Sequence, residues 1–339
     1  VPGLAGMSDE QLAAGLTAGA GPLAGAGTPA RAGGGLVSVH LGDGVQALTA
    51  LLGTAVGGAG AVLVGRAASP AVARQLVEAG ARDGIADSTR VTTTRVPVPA
   101  AVASAGPPRG TGDLLTRVRQ TSDTGTGPEG RVRVERVTAA DGRRSAVVYL
   151  PGVQDWPPDS RNPLSGGSAL RAEAGMTSAY TDLVVQALDD AGVAPDEPVL
   201  LAGHSLGGLV AVQVAGDQAV ADRFTITTVV TAGSPIGAAE VPAGVTVLAL
   251  EHSDDPVPAL DGRDNPDAPG TTTVTAPTPA GADAHGSDTY AQLGTLVDTS
   301  GEPSLVAWRQ QLAPFLAAPG ATSVVTEVAG RTVDATPHG

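Results

Sequence analysis

The spacing of apolar residues changes character near residue 130. From 131 to 137 Val largely alternates with charged residues, Asp141-Gly142 is a hairpin-turn signal, and 145–150 (Ser-Ala-Val-Val-Tyr-Leu) is a nearly unbroken apolar run suited to a strand covered on both faces. The pattern then predicts a helix over 178–191, a strand over 198–202, a helix over 206–215 and strands over 225–231 and 245–250. A weaker Thr-rich strand over 271–276 and a helix over 303–316 follow. Strands separated by helix-length segments imply an α/β fold, a mostly parallel sheet with helices on both faces. No internal repeat is present.

The chain before residue 110 reads differently. A short helix is predicted over 8–16, where Ser8 can cap. Residues 44–65 carry no charge for 22 positions, long enough to raise a membrane span, but six of them are Gly and no aromatic belt flanks them. A buried helix of small residues is the better reading, and no membrane span is expected. Ser69-Pro70 opens a helix over 71–80, with Gly80 as the stop. Residues 91–112, rich in Thr, Pro and Gly, read as a linker. The expected organisation is a helical N-terminal region with linker (1–110) and an α/β domain (111–339). The chain opens Val1-Pro2-Gly3 without an initiator Met, which reads as a trimmed N-terminus and leaves cytoplasmic and secreted locations both open.

Composition narrows the chemistry. Among 339 residues there is no Cys, so thiolate nucleophiles, thiolate metal sites and disulfides are excluded. There is also no Lys: all 20 basic residues are Arg, against 34 acidic ones, for a net charge of −14. Schiff-base chemistry and a Walker A loop are therefore impossible. An acidic surface repels phosphate backbones and anionic lipid, so no nucleic-acid partner is expected.

The sharpest local signal is Val199-Leu200-Leu201-Ala202-Gly203-His204-Ser205-Leu206-Gly207-Gly208, an apolar strand running through G-x-S-x-G straight into a helical segment. A turn this tight leaves no room for a Cβ at Gly203 or Gly207, and it holds Ser205 exposed at the N-terminus of a helix. Serine at its ordinary pKa is a weak nucleophile and needs a base, expected here in the order Ser, acid, His. Of five histidines, His40 precedes the motif, His204 lies inside it, His252 follows the strand where the acid is expected and His338 lies in the last two residues. His285, in a loop beyond the last predicted strand, remains as the base.

Gly203 to Gly208 (GHSLGG), Thr231-Ala232-Gly233-Ser234-Pro235 at a strand end, Asp254-Asp255-Pro256-Val257-Pro258 at the next and a late His285 together resemble the α/β-hydrolase superfamily, particularly its class 3 lipases. The likeness covers roughly residues 146–290, and the N-terminal hundred residues have no counterpart in it. The resemblance implies an α/β-hydrolase fold with Ser205 as nucleophile, Asp255 as acid and His285 as base. The oxyanion donors should be the N–H of Leu206 and one from the loop after the 145–150 strand; Pro151 has none, so Val153 or Gln154 is expected. Residues 156–176 read equally as a lid or as a structural loop. Residues 261–267 match a calcium loop only in part, with Arg263 at a ligand position, and Gly57-Gly58-Ala59-Gly60 lacks a preceding strand, so neither metal nor cofactor is expected.

The expected function is cleavage of a carboxylic ester, on a small-molecule or lipid-like substrate, through an acyl-enzyme. An acyltransferase or thioesterase would use the same residues, and a non-catalytic interaction scaffold is the rival from another class. Acyl and alcohol preference, oligomeric state and location lie beyond the sequence.

Overall fold

The computed structural model describes residues 70–81, 90–125, 127–157 and 160–333. The helix expected over 8–16 and the uncharged 44–65 segment lie outside the described residues. Eight strands form one sheet in the order β1-β8-β2-β3-β4-β5-β6-β7. Their ranges are β1 Val91–Val96, β2 Gly130–Thr138, β3 Arg144–Leu150, β4 Pro198–His204, β5 Thr225–Ala232, β6 Thr246–His252, β7 Thr271–Ala276 and β8 Thr322–Thr332. The five strands β3 to β7 are parallel, each to its neighbour. On the other side β2 is antiparallel to β3, and β8 is antiparallel to both β2 and β1.

The helices are α1 Pro70–Ala81, α2 Ala100–Ala103, α3 Thr111–Ser122, α4 Gly166–Glu173, α5 Ala179–Ala191, α6 Leu206–Gly216, α7 Gln218–Ala221, α8 Ser287–Thr299 and α9 Pro303–Leu312. None of the described helices is long and apolar enough to cross a membrane. Alternation along each strand sorts the core into two layers. Val148, Leu150, Val199, Leu201, Val229 and Val247 face α5 and α6, whose Leu183, Val184, Leu188, Leu209 and Val210 complete one buried layer. The residues between them, Val147, Tyr149, Leu200, Ala202, Val230 and Leu248, face α3, α8 and α9 through Leu114, Val118, Tyr290, Leu293 and Trp308. Helices therefore cover both faces, and strands buried on both faces carry the unbroken apolar runs seen in the sequence.

Local chemistry sets the element ends. The Asp141-Gly142 turn closes the β2–β3 hairpin with Gly142 at φ 85°, in the left-handed region that suits glycine. Ser178 caps α5 by accepting from Thr181 N–H at 3.3 Å, and Thr181 Oγ1 accepts in return from Ser178 N–H at 3.4 Å. Gly192, at φ 69°, ends the same helix.

The stretch over 91–112 is a departure from the linker that its composition predicts. It holds β1, paired along its length with β8, then α2, and α3 already begins at Thr111. Thr and Val are β-branched, and in a strand their stiff side chains fit the pleat. The β8 strand, α3, α4 and α8 had no counterpart in the predicted elements, and the predicted helix over 303–316 ends as α9 followed by a 3₁₀ turn over Ala313–Phe315.

Candidate active site

Strand β4 ends at His204, and α6 begins at Leu206. Ser205 alone makes the turn, at φ 55° and ψ −125°, and among the described residues no other non-glycine has positive φ. An L-residue held there is strained, and the strain is sustained by the packing around it. Ser205 N–H donates to Ala232 O at 2.8 Å, tying the turn to the end of β5. A Cβ on Gly203 would collide with the backbone of Gly207 and Gly208, and one on Gly207 with the carbonyls of Leu150 and Pro151. The loop after β3 thus lies directly on the turn.

That loop carries one of the two expected oxyanion donors, and the first residue of α6 the other. Leu206 N–H and Val153 N–H donate to no acceptor among the described residues, whereas Gln154 N–H is engaged by Leu164 O at 2.8 Å. Gln154, one of the two alternatives, is therefore set aside in favour of Val153. Tyr180, fully buried, donates its hydroxyl to Pro151 O at 2.8 Å and pins the loop from beneath.

Asp255 follows β6, and His285 precedes α8. His285 Nδ1 donates to Asp255 Oδ2 at 2.8 Å, so Nε2 is the ring nitrogen left for other chemistry. Asp255 is buried and fully engaged: Tyr290 Oη donates to Oδ2 at 2.6 Å, and Val257 N–H donates to Oδ1 at 3.0 Å. Gly233 leaves the space for this, since a Cβ there would come within 2.8 Å of the Tyr290 ring and 3.0 Å of Asp255 Oδ2. Asp254 turns the other way, is exposed, and accepts from the Thr278 hydroxyl and from Thr278 N–H at 3.2 Å; the hydroxyl first, and then the N–H, hold its carboxyl below the usual range. Ser205 and His285 line one cavity of about 300 Å³, together with Val153, Leu206 and Trp156.

Two supports were not legible in the motif. His204 is the third of the inward set Leu200, Ala202, His204 on the face of β4 that meets α8, and its ring lies 4.7 Å from that of His285. Its Nε2 donates to the backbone O of His285 at 2.9 Å, so in the neutral ring Nδ1 accepts from the Ser287 hydroxyl at 3.3 Å. Burial, and then the neighbouring His285, push its pKa down to about 3. His204 is therefore neutral and grips the loop that carries His285. Tyr290 is the other support; burial first, then Asp255, push its phenol well above its ordinary value, so it stays a donor.

Two further stretches singled out in the sequence lie beside the cavities. The 156–176 segment contains α4, whose Ala169 and Glu173 wall the cavity. In the partial calcium loop, Asp261 accepts from Ala238 N–H at 2.7 Å and Arg263 N–H at 3.0 Å, which makes it a loop organiser. Comparison of the chain with protein-family models, with curated proteins and with solved structures returns no significant match.

Proposed function

We propose that this protein is a serine hydrolase of carboxylic esters, built on an α/β-hydrolase fold. The observation that carries the reading is Ser205, strained at a strand-to-helix turn and lining one cavity with a histidine whose other ring nitrogen is bound to a buried carboxylate. In the proposed reaction Ser205 Oγ attacks the ester carbonyl carbon and its proton passes to His285 Nε2. The oxyanion that forms is received by the free N–H groups of Leu206 and Val153, at the positive end of α6. Collapse of the tetrahedral intermediate expels the alcohol, which takes the proton from His285, and leaves an acyl-serine. Water, deprotonated by His285, then attacks the acyl carbon and releases the acid and the free serine. Asp255 holds the imidazole in the tautomer this needs and balances the charge it acquires.

The direct test is an active-site phosphonate. It should label Ser205 stoichiometrically in the folded protein and fail on Ser205→Ala, and that variant should lose ester cleavage by about 10⁴-fold or more while still folding. Folded protein that takes up no label, or a variant that keeps a tenth of the activity, overturns the reading and leaves an interaction scaffold in its place.

A further inference from the structure

The cavity that Ser205 and His285 line contains a carboxyl for which the proposed reaction has no use. Glu173 is the last residue of α4 and is only 7% exposed. Among the described residues it has no hydrogen-bond or ion-pair partner, whereas Asp255 nearby has three donors. Its oxygens are not among the fully enclosed polar atoms that lack a partner, so the little exposure Glu173 has includes its carboxyl, which opens onto a cavity with no protein group to pair it. Its place in the fold shows what it faces. It lines the cavity of about 300 Å³ that holds Ser205, and also a second cavity of about 480 Å³. Leu209 and Pro235 wall both as well, so Glu173 stands at the seam. Around it on the Ser205 side the wall is largely apolar, with Ala169, Leu206, Val257 and Leu260.

The charge state follows from the surroundings. Burial, and then the carboxylate of Asp261 across the second cavity, hold the Glu173 carboxyl well above its usual range. The residue also sits at the C-terminal, negative end of α4, which disfavours a further negative charge. Arg74, which borders the second cavity, donates to Ala174 O at 3.0 Å. A protonated carboxyl has one O–H to donate and an oxygen to accept. Its complement is an uncharged group of the same kind.

We propose that Glu173 is a specificity-determining residue, whose carboxyl hydrogen-bonds an uncharged oxygen group, a hydroxyl or an amide, on the part of the ester that fills the cavity. This rests on the ester-hydrolase reading above. A plain alkyl group of the same size leaves the carboxyl buried and unpaired, and sites built in this way discriminate against the analogue that lacks the polar group.

The test uses the full chain and matched ester pairs: aryl esters of alkanoic and hydroxyalkanoic acids of equal length, and acetates of matched alcohols and diols. The expected result is a kcat/KM at least about tenfold higher for the hydroxylated member in one of the two series. Glu173→Leu should abolish or invert that ratio. Glu173→Gln, which still donates and accepts, should keep it to within about threefold. A role confined to packing would change both members of a pair alike. Glu173→Leu also removes a largely buried polar group without a protein partner, so its Tm should equal or exceed that of the wild type; if it fails to fold, Glu173→Met, of similar length but unable to pair an oxygen group, takes its place in the same comparison. A wild type that is labelled at Ser205 by a phosphonate but shows no preference overturns this inference and leaves the hydrolase standing. Absence of both labelling and ester cleavage overturns the hydrolase reading and this one with it. A preference for ammonium-bearing esters that disappears in Glu173→Gln shows an ionised carboxyl and overturns the assignment of a neutral partner.

Discussion

Asp254 and Asp255 are adjacent and chemically identical, yet only one reaches His285. Consecutive side chains at a strand end point to opposite sides, and Pro256 restricts the residue before it. Asp255 is buried with three donors on its carboxylate, while Asp254 bonds Thr278 in solvent. On the proposed mechanism Asp255→Asn should therefore lower kcat by on the order of 10³ to 10⁴, and Asp254→Asn by less than about tenfold. Steady-state kinetics on one ester decides it, and a reversed ranking would make Asp254 the orienting acid. His204 carries a prediction about stability. An exposed histidine in the unfolded chain takes up its proton near pH 6.5, while folded His204 does so only near pH 3. Between those values the unfolded chain binds more protons. The contribution of His204 is thus complete above about pH 6.5 and is lost as pH falls toward 3. Urea midpoints taken from pH 7.5 down to 4 should decline more steeply in the wild type than in His204→Gln, and parallel profiles would rule out that coupling. Ser205, Asp255 and His285 could be found because motif and chain order mark them. The placement of His204, Tyr290 and Glu173 beside them could not, since each depends on which distant residue packs against it.

At the level of elements, legibility follows the source of the stabilising contacts. The hairpin of β2 and β3 and the capped helix α5 carry their own signals, and their predicted ranges agree with the observed ones to within a few residues. Helix α3 does not, because its N-cap is Gly110, which has no side chain to offer. Its first N–H groups are capped from afar, Thr111 N–H by Asp298 Oδ1 at 2.8 Å and Gly112 N–H by Oδ2 at 3.0 Å. Strand β8 inverts the usual code: Val324 is 71% exposed while Glu327 is buried. The reason is an ion pair with Arg133, its register partner on β2, whose Nη2 and Nε donate to Glu327 Oε2 at 2.8 and 3.1 Å. Removing one side of such a pair strands a buried charge at a cost of about 3–5 kcal/mol. Glu327→Gln should therefore lose stability on that scale in urea unfolding, and Arg133→Met with Glu327→Leu should recover most of it. A loss below about 1 kcal/mol for the single variant would show that water reaches the guanidinium.

For the molecule as a whole, the question is where the folded unit containing the site begins. The composition of residues 91–112 points to a hinge between two units, and on that view a chain starting at residue 111 would be a complete α/β domain. The sheet argues otherwise. Residues 91–96 form its edge strand, in register with β8 from Val91 opposite Thr332 to Val96 opposite Glu327. Beyond the first of these pairs, Val333 N–H donates to Arg90 O at 3.1 Å. Val91 N–H is held by Asp182 of α5 at 2.8 Å, and Thr93 Oγ1 donates to Asp190 of the same helix at 3.1 Å. Without β1, one side of β8 would present a row of unpaired N–H and C=O groups, the template on which other chains pair and aggregate. The polar groups at both ends of α5 would lose partners too. Two shortened chains isolate this contribution, one starting at residue 90 and one at residue 111: both lack α1, and they differ in β1 and α2. The longer should unfold cooperatively and take up a phosphonate at Ser205. The shorter should be aggregation-prone, with a urea midpoint that is lower or lost altogether, and a shorter chain equal to the longer in both measurements would restore the boundary near residue 110.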